Sequence, residues 1–205
     1  DGGKGQMRVI TGSLKGRRLK SVRGAQVRPT ADRVREGLFS MLMSRFDLSG
    51  TVVLDLFAGT GALGIEALSR GAARAVFVEQ DRDALRVLRS NVEMCGLSSC
   101  VEIWPLPVRR ALRELQGRAY RFDGMLLDPP YGSGLLGSTM ELLSASGMLR
   151  PGGWVVAAGH VDDTLPEAYG KPAFVAREAS RFIRKNRDRP FILYANFLEP
   201  HMPFF

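Results

Sequence analysis

Residues 52–64 read Val52-Val-Leu-Asp-Leu-Phe-Ala-Gly-Thr-Gly-Ala-Leu-Gly64. A run of Val and Leu leads into three glycines, Gly59, Gly61 and Gly64, at the spacing G-x-G-x-x-G. The run lacks polar alternation, which marks a strand covered on both faces, as in a parallel sheet. The glycines let the backbone turn tightly and let a ligand come close to it. Residues 62–69 then continue as a helix. Strand, glycine loop and helix in this order form the opening unit of a doubly wound α/β sheet.

The alternation continues downstream. Residues 75–79, 101–104, 122–127 and 154–158 read as further apolar strands. Residues 81–94, capped by Asp81, and residues 108–115 and 135–146 read as the helices between them, with Pro151-Gly-Gly as a turn. The expected fold class is therefore α/β and Rossmann-like, with a mainly parallel sheet. Upstream, residues 8–27 mix short β-like runs with Gly12, Gly16 and Gly24, which suggests a small hairpin or loop-rich arm. Thr30 and Asp32 are N-cap candidates for a helix to about Met43, with Val34, Leu38, Met41 and Leu42 on one face. Residues 161–176 carry Pro166, Gly170 and Pro172 without a sustained period, and residues 191–197 are strand-like. The expected organisation is a basic arm and helix over 1–50, an α/β domain over 51–160 and an atypical segment over 161–205.

Charge is concentrated at one end. Residues 1–50 hold eleven Lys/Arg against four acids, nearly the whole of the chain's +8. That is the electrostatic footprint of a polyanion partner, the alternative being a basic surface that is only solvated. No apolar run approaches the length of a membrane-spanning helix. Residues 1–6 are polar and unlike a signal peptide; they read as an upstream extension before a start at Met7. Cys95 and Cys100 have no His nearby, so neither a disulfide framework nor a metal site is expected. Free thiols suit the cytoplasm.

The glycine loop alone does not name its ligand, and a dinucleotide is the competitor. Asp55 separates the two. A carboxylate at the mouth of this loop repels a pyrophosphate, whereas S-adenosylmethionine (SAM) carries an ammonium and a sulfonium that Asp55 complements. Glu79, at the end of the second strand, is placed to accept from ribose hydroxyls, a role common to both ligands.

A second motif, Asp128-Pro-Pro-Tyr131, follows the fourth strand. Parallel sheets bind ligands at the carboxyl ends of their strands, so this loop is expected to face the crevice that the glycine loop faces. An exocyclic base amine is a poor nucleophile because its lone pair is delocalised into the ring. The Asp128 carboxylate and the Pro129 carbonyl can accept its two hydrogens and aim the lone pair at a methyl group. Asp128 also stabilises the positive charge that grows on the nitrogen. The two prolines hold both acceptors in place, and Tyr131 offers a face for an unstacked base. A Pro-Pro turn opened by Asp is the plain alternative.

Taken with Met7-Arg-Val-Ile-Thr-Gly-Ser-Leu-Lys-Gly-Arg-Arg-Leu19 and Arg28-Pro-Thr-Ala-Asp-Arg-Val-Arg-Glu-Gly-Leu-Phe39, these motifs make residues 7 to about 153 resemble the RsmD family. These are SAM-dependent methyltransferases acting on N2 of a guanine in 16S ribosomal RNA. The N-terminal stretches discriminate, because many methyltransferases share the other two motifs. The resemblance implies that Asp55, Phe57, Gly59, Gly61, Gly64 and Glu79 hold SAM. It implies that Asp128, Pro129 and Tyr131 handle the guanine, and that Arg17, Arg18, Arg28 and Arg33 bind RNA, where a planar guanidinium grips phosphates and stacks on bases. The implied partner is 16S rRNA in an assembling or assembled small ribosomal subunit, and the implied state is a monomer.

The chain departs from the family twice. Relatives place an acid after the third strand to contact the adenine of SAM. Here Trp104-Pro-Leu-Pro-Val108 has none, so adenine recognition falls to Trp104, Leu106 and backbone. The C-terminus also differs: residues 181–204 resemble an internal sulfatase segment, without the sulfatase nucleophile motif or its metal-binding carboxylates. A chimeric or fused C-terminus is the expectation. Two other functions stay open: an adenine-N6 methyltransferase on DNA or RNA, and a non-catalytic RNA-binding protein with a degraded SAM site.

Overall fold

The computed structural model describes residues 7–22, 29–130, 133–159 and 191–196. The chain divides into two compact units, Asp1–Pro107 and Val108–Phe205.

In the first unit, β1 (Val52–Leu56) runs into α2 (Ala62–Ser69), β2 (Arg74–Val78), α3 (Arg82–Met94) and β3 (Val101–Trp104), preceded by α1 (Pro29–Met43). β2 is central: it pairs in parallel with β1 in the register Val52↔Arg74 to Leu56↔Val78, and with β3 from Ala75↔Val101 to Val78↔Trp104. The apolar runs are covered on both faces as expected; Val53, Leu54, Leu56, Phe77 and Val78 are fully buried. In α2 every residue from Gly64 to Ser69 is buried, which explains its apolar character all round. α3 is amphipathic instead. The Asp81 side chain accepts from the Ala84 amide at 2.8 Å, and Ala84, Leu85, Leu88 and Val92 face the core.

α1 starts earlier than its expected caps. Pro29 occupies the first turn, where a missing N–H costs nothing, so Thr30 and Asp32 lie inside the helix. Its buried face is Arg35, Leu38, Phe39 and Leu42, while Val34 and Met41 are only half-buried. Arg35 is the surprise. Its guanidinium donates to the Arg8 carbonyl and to Asp32 at 3.0 Å, and its Nε lies 3.9 Å from Glu66, a fully buried carboxylate on α2. Glu66 also accepts from Arg70 at 2.7 Å, and the Arg70 guanidinium sits 4.9 Å over the Phe39 ring. Burial lowers the Arg35 pKa, Asp32 and Glu66 oppose that shift, and Arg70 adds to it.

The arm over residues 7–22 is a hairpin in connectivity only, with a single bridge, Arg8↔Arg18. So short a ladder has little stability of its own. Buried side chains hold it instead. Glu66 accepts from the Ile10 and Thr11 amides at 2.8 and 3.1 Å. The Ser69 hydroxyl donates to the Thr11 carbonyl at 2.5 Å and accepts from the Leu14 amide at 3.0 Å. Gly12, at φ +89°, lies so close to α2 that a Cβ would fall 1.8 Å from the Ser69 carbonyl oxygen. Val9 and Leu19 are buried beneath the arm.

The second unit contains α4 (Val108–Gly117), β4 (Phe122–Leu127), α5 (Leu135–Ser146), β5 (Leu149–Gly159) and β6 (Phe191–Asn196). β4 and β5 are parallel, joined through α5. β5 begins five residues before the expected strand. It absorbs Pro151-Gly-Gly, with Gly152 at φ +74°, and the register shifts between Phe122 and Gly124. Gly124 lets the ladder close: a Cβ there would fall 2.1 Å from the Trp154 ring. β6 matches the strand-like stretch at 191–197 and pairs antiparallel with β5, from Trp154↔Asn196 to Gly159↔Phe191. The rest of the sulfatase-like stretch, like residues 161–176, lies outside the described residues. Among the described residues no helix is long and apolar enough to cross a membrane, and no cluster of His, Cys, Asp or Glu could hold a metal.

Candidate active site

The glycine loop is built from the end of β1. Phe57 adopts φ +60°, strained for an aromatic residue and a feature concentrated at functional sites. The next amide, Ala58, donates to the Val78 carbonyl at 3.0 Å, and Gly61 closes a turn on the Ala58 carbonyl at 2.8 Å. Gly61 has φ +83°, and a Cβ there would lie 2.3 Å from Leu88 Cδ1. At Gly64 the obstacle would be the Phe77 ring, also at 2.3 Å. At Gly59 a Cβ would meet only the Phe57 carbonyl oxygen, at 3.9 Å, so this side of the loop is open to an approaching ligand.

Two carboxylates organise the loop. Asp55, 1% exposed, accepts from the Gly64 amide at 2.8 Å, beside the N-terminus of α2, where a negative charge is favoured. Glu79 Oε2 accepts from Gly59 at 2.7 Å, while its Oε1 accepts from Gln80 and Asp81, both at 2.8 Å. A carboxylate offers about four acceptor positions, so Glu79 keeps roughly one for a ligand hydroxyl unless a backbone bond opens. Trp104 is buried, and its indole N–H donates to Glu102 at 2.7 Å. Its carbonyl accepts from Glu79 and Leu106 at 3.2 and 2.9 Å. It therefore offers little ring surface for stacking, whereas Leu106 is half-buried. Gly59, Glu79 and Trp104 are thus joined by hydrogen bonds, and Asp55 and Gly64 form a second bonded pair at the same loop.

The amides that a phosphate loop would turn toward an anion, Gly59 and Gly64, here donate to protein carboxylates. The loop suits a cationic ligand better than a pyrophosphate. A further hydrogen bond to the loop is not legible in the sequence. Asn91 on α3 donates to the Thr60 carbonyl, inside the loop, at 2.9 Å. Its only sequence signal is an amide on the apolar face of a helix.

In the second unit, Asp128 is the first residue after β4. It is exposed as a residue, yet neighbouring protein displaces water from its carboxyl, and this desolvation pushes the pKa up to about 6. Water still reaches the group, so the shift bears on where it titrates and little on stability. Pro129 is buried and Pro130 exposed, and the Pro130 carbonyl accepts from the Ser133 hydroxyl at 2.6 Å. Tyr131 lies outside the described residues. Of the expected RNA-binding residues, Arg17 and Arg18 are exposed on the arm, and Arg17 donates to the Met94 carbonyl at 2.7 Å. Arg28 and the Arg33 side chain lie outside the described residues.

Residues 7–180 match the family described as conserved hypothetical protein 95, well past the expected end near 153. An rRNA methyltransferase candidate of Bacillus subtilis, YlbH, is 41% identical over 172 residues, covering 84% of this chain and 92% of that protein. Ribosomal RNA small subunit methyltransferase D of Haemophilus influenzae is 35% identical over 163 residues, covering 79% of this chain and 83% of its own. Among solved structures, a methyltransferase candidate of Escherichia coli, yhhF, superposes with a TM-score of 0.72 at 31% identity, over 95% of this chain and 100% of that one. The fold is the Rossmann-like α/β fold of SAM-dependent methyltransferases. The chain belongs to the conserved hypothetical protein 95 family, the RsmD family of ribosomal RNA methyltransferases that its motifs resemble.

Proposed function

We propose that this protein methylates N2 of a guanine in 16S ribosomal RNA of the small ribosomal subunit, acting as a monomer. Family membership makes the protein a SAM-dependent rRNA methyltransferase. One observation carries the cofactor reading. The loop turns its Gly59 and Gly64 amides onto Glu79 and Asp55 and leaves one side of Gly59 open, which suits a sulfonium donor better than a pyrophosphate. Asp55, Phe57, Gly59, Gly61, Gly64 and Glu79 would hold it, and Trp104, buried and bonded through its carbonyl to the Glu79 amide, would position Glu79 rather than stack on the ligand. When bound, SAM supplies an electrophilic methyl.

The remaining chemistry belongs to the chain. The Asp128 carboxylate and the Pro129 carbonyl accept the two hydrogens of the exocyclic amine, which directs the nitrogen lone pair at the methyl. With the donor bound, its sulfonium would supply the methyl, the new N–C bond replacing the C–S bond and the sulfur departing as a neutral thioether. A carboxyl with a pKa of about 6 can take up the proton that the methylated nitrogen releases, near neutral pH. Tyr131 stacks on the extruded base, and Arg17, Arg18, Arg28 and Arg33 engage the RNA backbone.

The test offers labelled SAM with unmethylated 30S particles, naked 16S RNA and duplex DNA, followed by nucleoside analysis. N2-methylguanosine in the ribosomal substrate is expected. N6-methyladenine would replace the guanine reading with an adenine one, and no transfer to any substrate together with no saturable S-adenosylhomocysteine binding would favour a non-catalytic RNA-binding protein with a degraded SAM site. Asp128→Ala should abolish transfer while leaving SAM affinity intact.

A further inference from the structure

We propose that Asn91 is the positioning residue that ties the N-terminal arm to the cofactor loop, so that donor binding and arm anchoring are thermodynamically linked. The inference rests on the methyltransferase reading, because it takes residues 59–64 as the donor site.

Asn91 is fully buried and uses every polar atom of its amide. Its Oδ1 accepts from the Lys20 amide at 2.8 Å, and its Nδ2 donates to the Lys20 carbonyl at 3.1 Å and to the Thr60 carbonyl at 2.9 Å. An amide on the core face of a helix is unfavourable unless satisfied, and here only the arm and the loop satisfy it. Thr60 lies between Gly59 and Gly61, both at positive φ, where the backbone is least restrained by side chains. Fixing the Thr60 carbonyl therefore sets the orientation of the peptide planes around it. A second contact runs the same way: the Thr60 hydroxyl lies 3.9 Å from the Met7 sulfur.

Of the other moorings of the arm, Glu66 and Ser69 hold residues 10–14 to the body of α2, the Arg8 carbonyl accepts from Arg35, and Arg17 and the Lys20 Nζ donate to the Met94 carbonyl and the Ser90 hydroxyl of α3; these partners lie outside the loop. The backbone of residue 20 is different. Displacing it either breaks both bonds to Asn91 or drags the amide away from Thr60, and displacing Thr60 acts on Lys20 in reverse. Coupling of this kind is reciprocal. A loop fixed by donor holds the arm down, and an arm fixed on RNA favours the donor-binding form of the loop.

The test measures S-adenosylhomocysteine affinity by calorimetry and amide exchange across residues 7–22 with and without that ligand. In the wild type the ligand should slow exchange at residues 19–21 by about five-fold or more, the lower end of typical coupling. Asn91→Asp keeps the acceptor for Lys20 but turns a carboxylate oxygen toward two carbonyls. It should weaken ligand affinity by about five-fold or more and abolish the protection. Lys20→Pro removes the N–H that Asn91 Oδ1 accepts, together with the Nζ bond to the Ser90 hydroxyl; it should lower the melting temperature and bind the ligand more weakly. A merely structural Asn91 would lower the melting temperature of Asn91→Asp and leave affinity unchanged in both variants, and that result would overturn the proposal. So would a wild-type arm whose exchange ignores the ligand. Failure of the wild type to bind S-adenosylhomocysteine at all would instead remove the cofactor reading on which the coupling rests.

Discussion

Asp128 combines two demands that oppose each other. In the role proposed for it, as an acceptor for a base amine, it would have to be ionised, yet desolvation favours the protonated acid and pushes its pKa up to about 6, against 3.8 for an unperturbed carboxyl. The group is exposed, so the shift adds little to stability: the protonated form's small contribution is present below about 3.8 and lost above about 6. Activity should run the other way: kcat/KM for methyl transfer should fall as pH drops through about 6. A pH–rate profile that stays flat down to pH ~5 would separate catalysis from this carboxyl. The cofactor loop permits a second test at one residue. Gly61 has φ +83° and faces Leu88 Cδ1 at 2.3 Å from where a Cβ would stand. Gly61→Ala should cost about 1–3 kcal/mol in urea unfolding and weaken S-adenosylhomocysteine binding. Adding Leu88→Ala should remove the clash without curing the backbone strain, so binding should stay weak.

At the scale of elements, α2 is the anchor of the first unit. Its Glu66 serves two arginines and two arm amides at once, and so removing it strands charges as well as hydrogen bonds. Glu66→Ala should cost about 3–5 kcal/mol by urea unfolding, the range for breaking a buried pair. Gly12 tests the arm more selectively. A Cβ there would meet the Ser69 carbonyl oxygen, a backbone atom that cannot swing aside. Gly12→Ala should release the arm, seen as faster trypsin cleavage after Arg17, Arg18 and Lys20, while exchange protection in β1 and β2 persists. If cleavage stayed at the wild-type rate, the arm would be held by something other than this close approach. The span of α5 and the Asp81 cap of α3 are legible in the sequence, because period and capping are local signals. The start of α1 is not, because Thr30 and Asp32 are good caps in any context, whereas Pro29 is equally suited to the first turn and takes it.

For the whole molecule, the basic excess of the first fifty residues has two fates. Arg35 is consumed inside the fold by Asp32 and Glu66. Arg17 and Arg18 remain exposed on the arm and are available to a polyanion. Replacing both with Gln should lower the slope of log K against log salt for 16S RNA by about 1.5, at ~0.7–0.9 for each phosphate that is no longer neutralised. Affinity for S-adenosylhomocysteine should change little, because neither side chain reaches the loop. An unchanged salt slope would place the RNA surface elsewhere.

The sequence by itself determined the parallel strands, the helices between them and the two loops to which the chemistry is assigned. Each is written in adjacent residues: apolar runs for covered strands, glycine spacing for the turn, Asp-Pro-Pro for a rigid pair of acceptors. Only the tertiary structure decided what the buried polar side chains do. Glu66, Ser69 and Asn91 find partners 55 to 71 residues away, and no local pattern encodes a partner at that distance. The same holds for β6, whose apolar run allowed either direction and whose antiparallel pairing is set by its neighbour β5. A buried polar group must be satisfied, but which distant backbone satisfies it is settled only when the chain has packed.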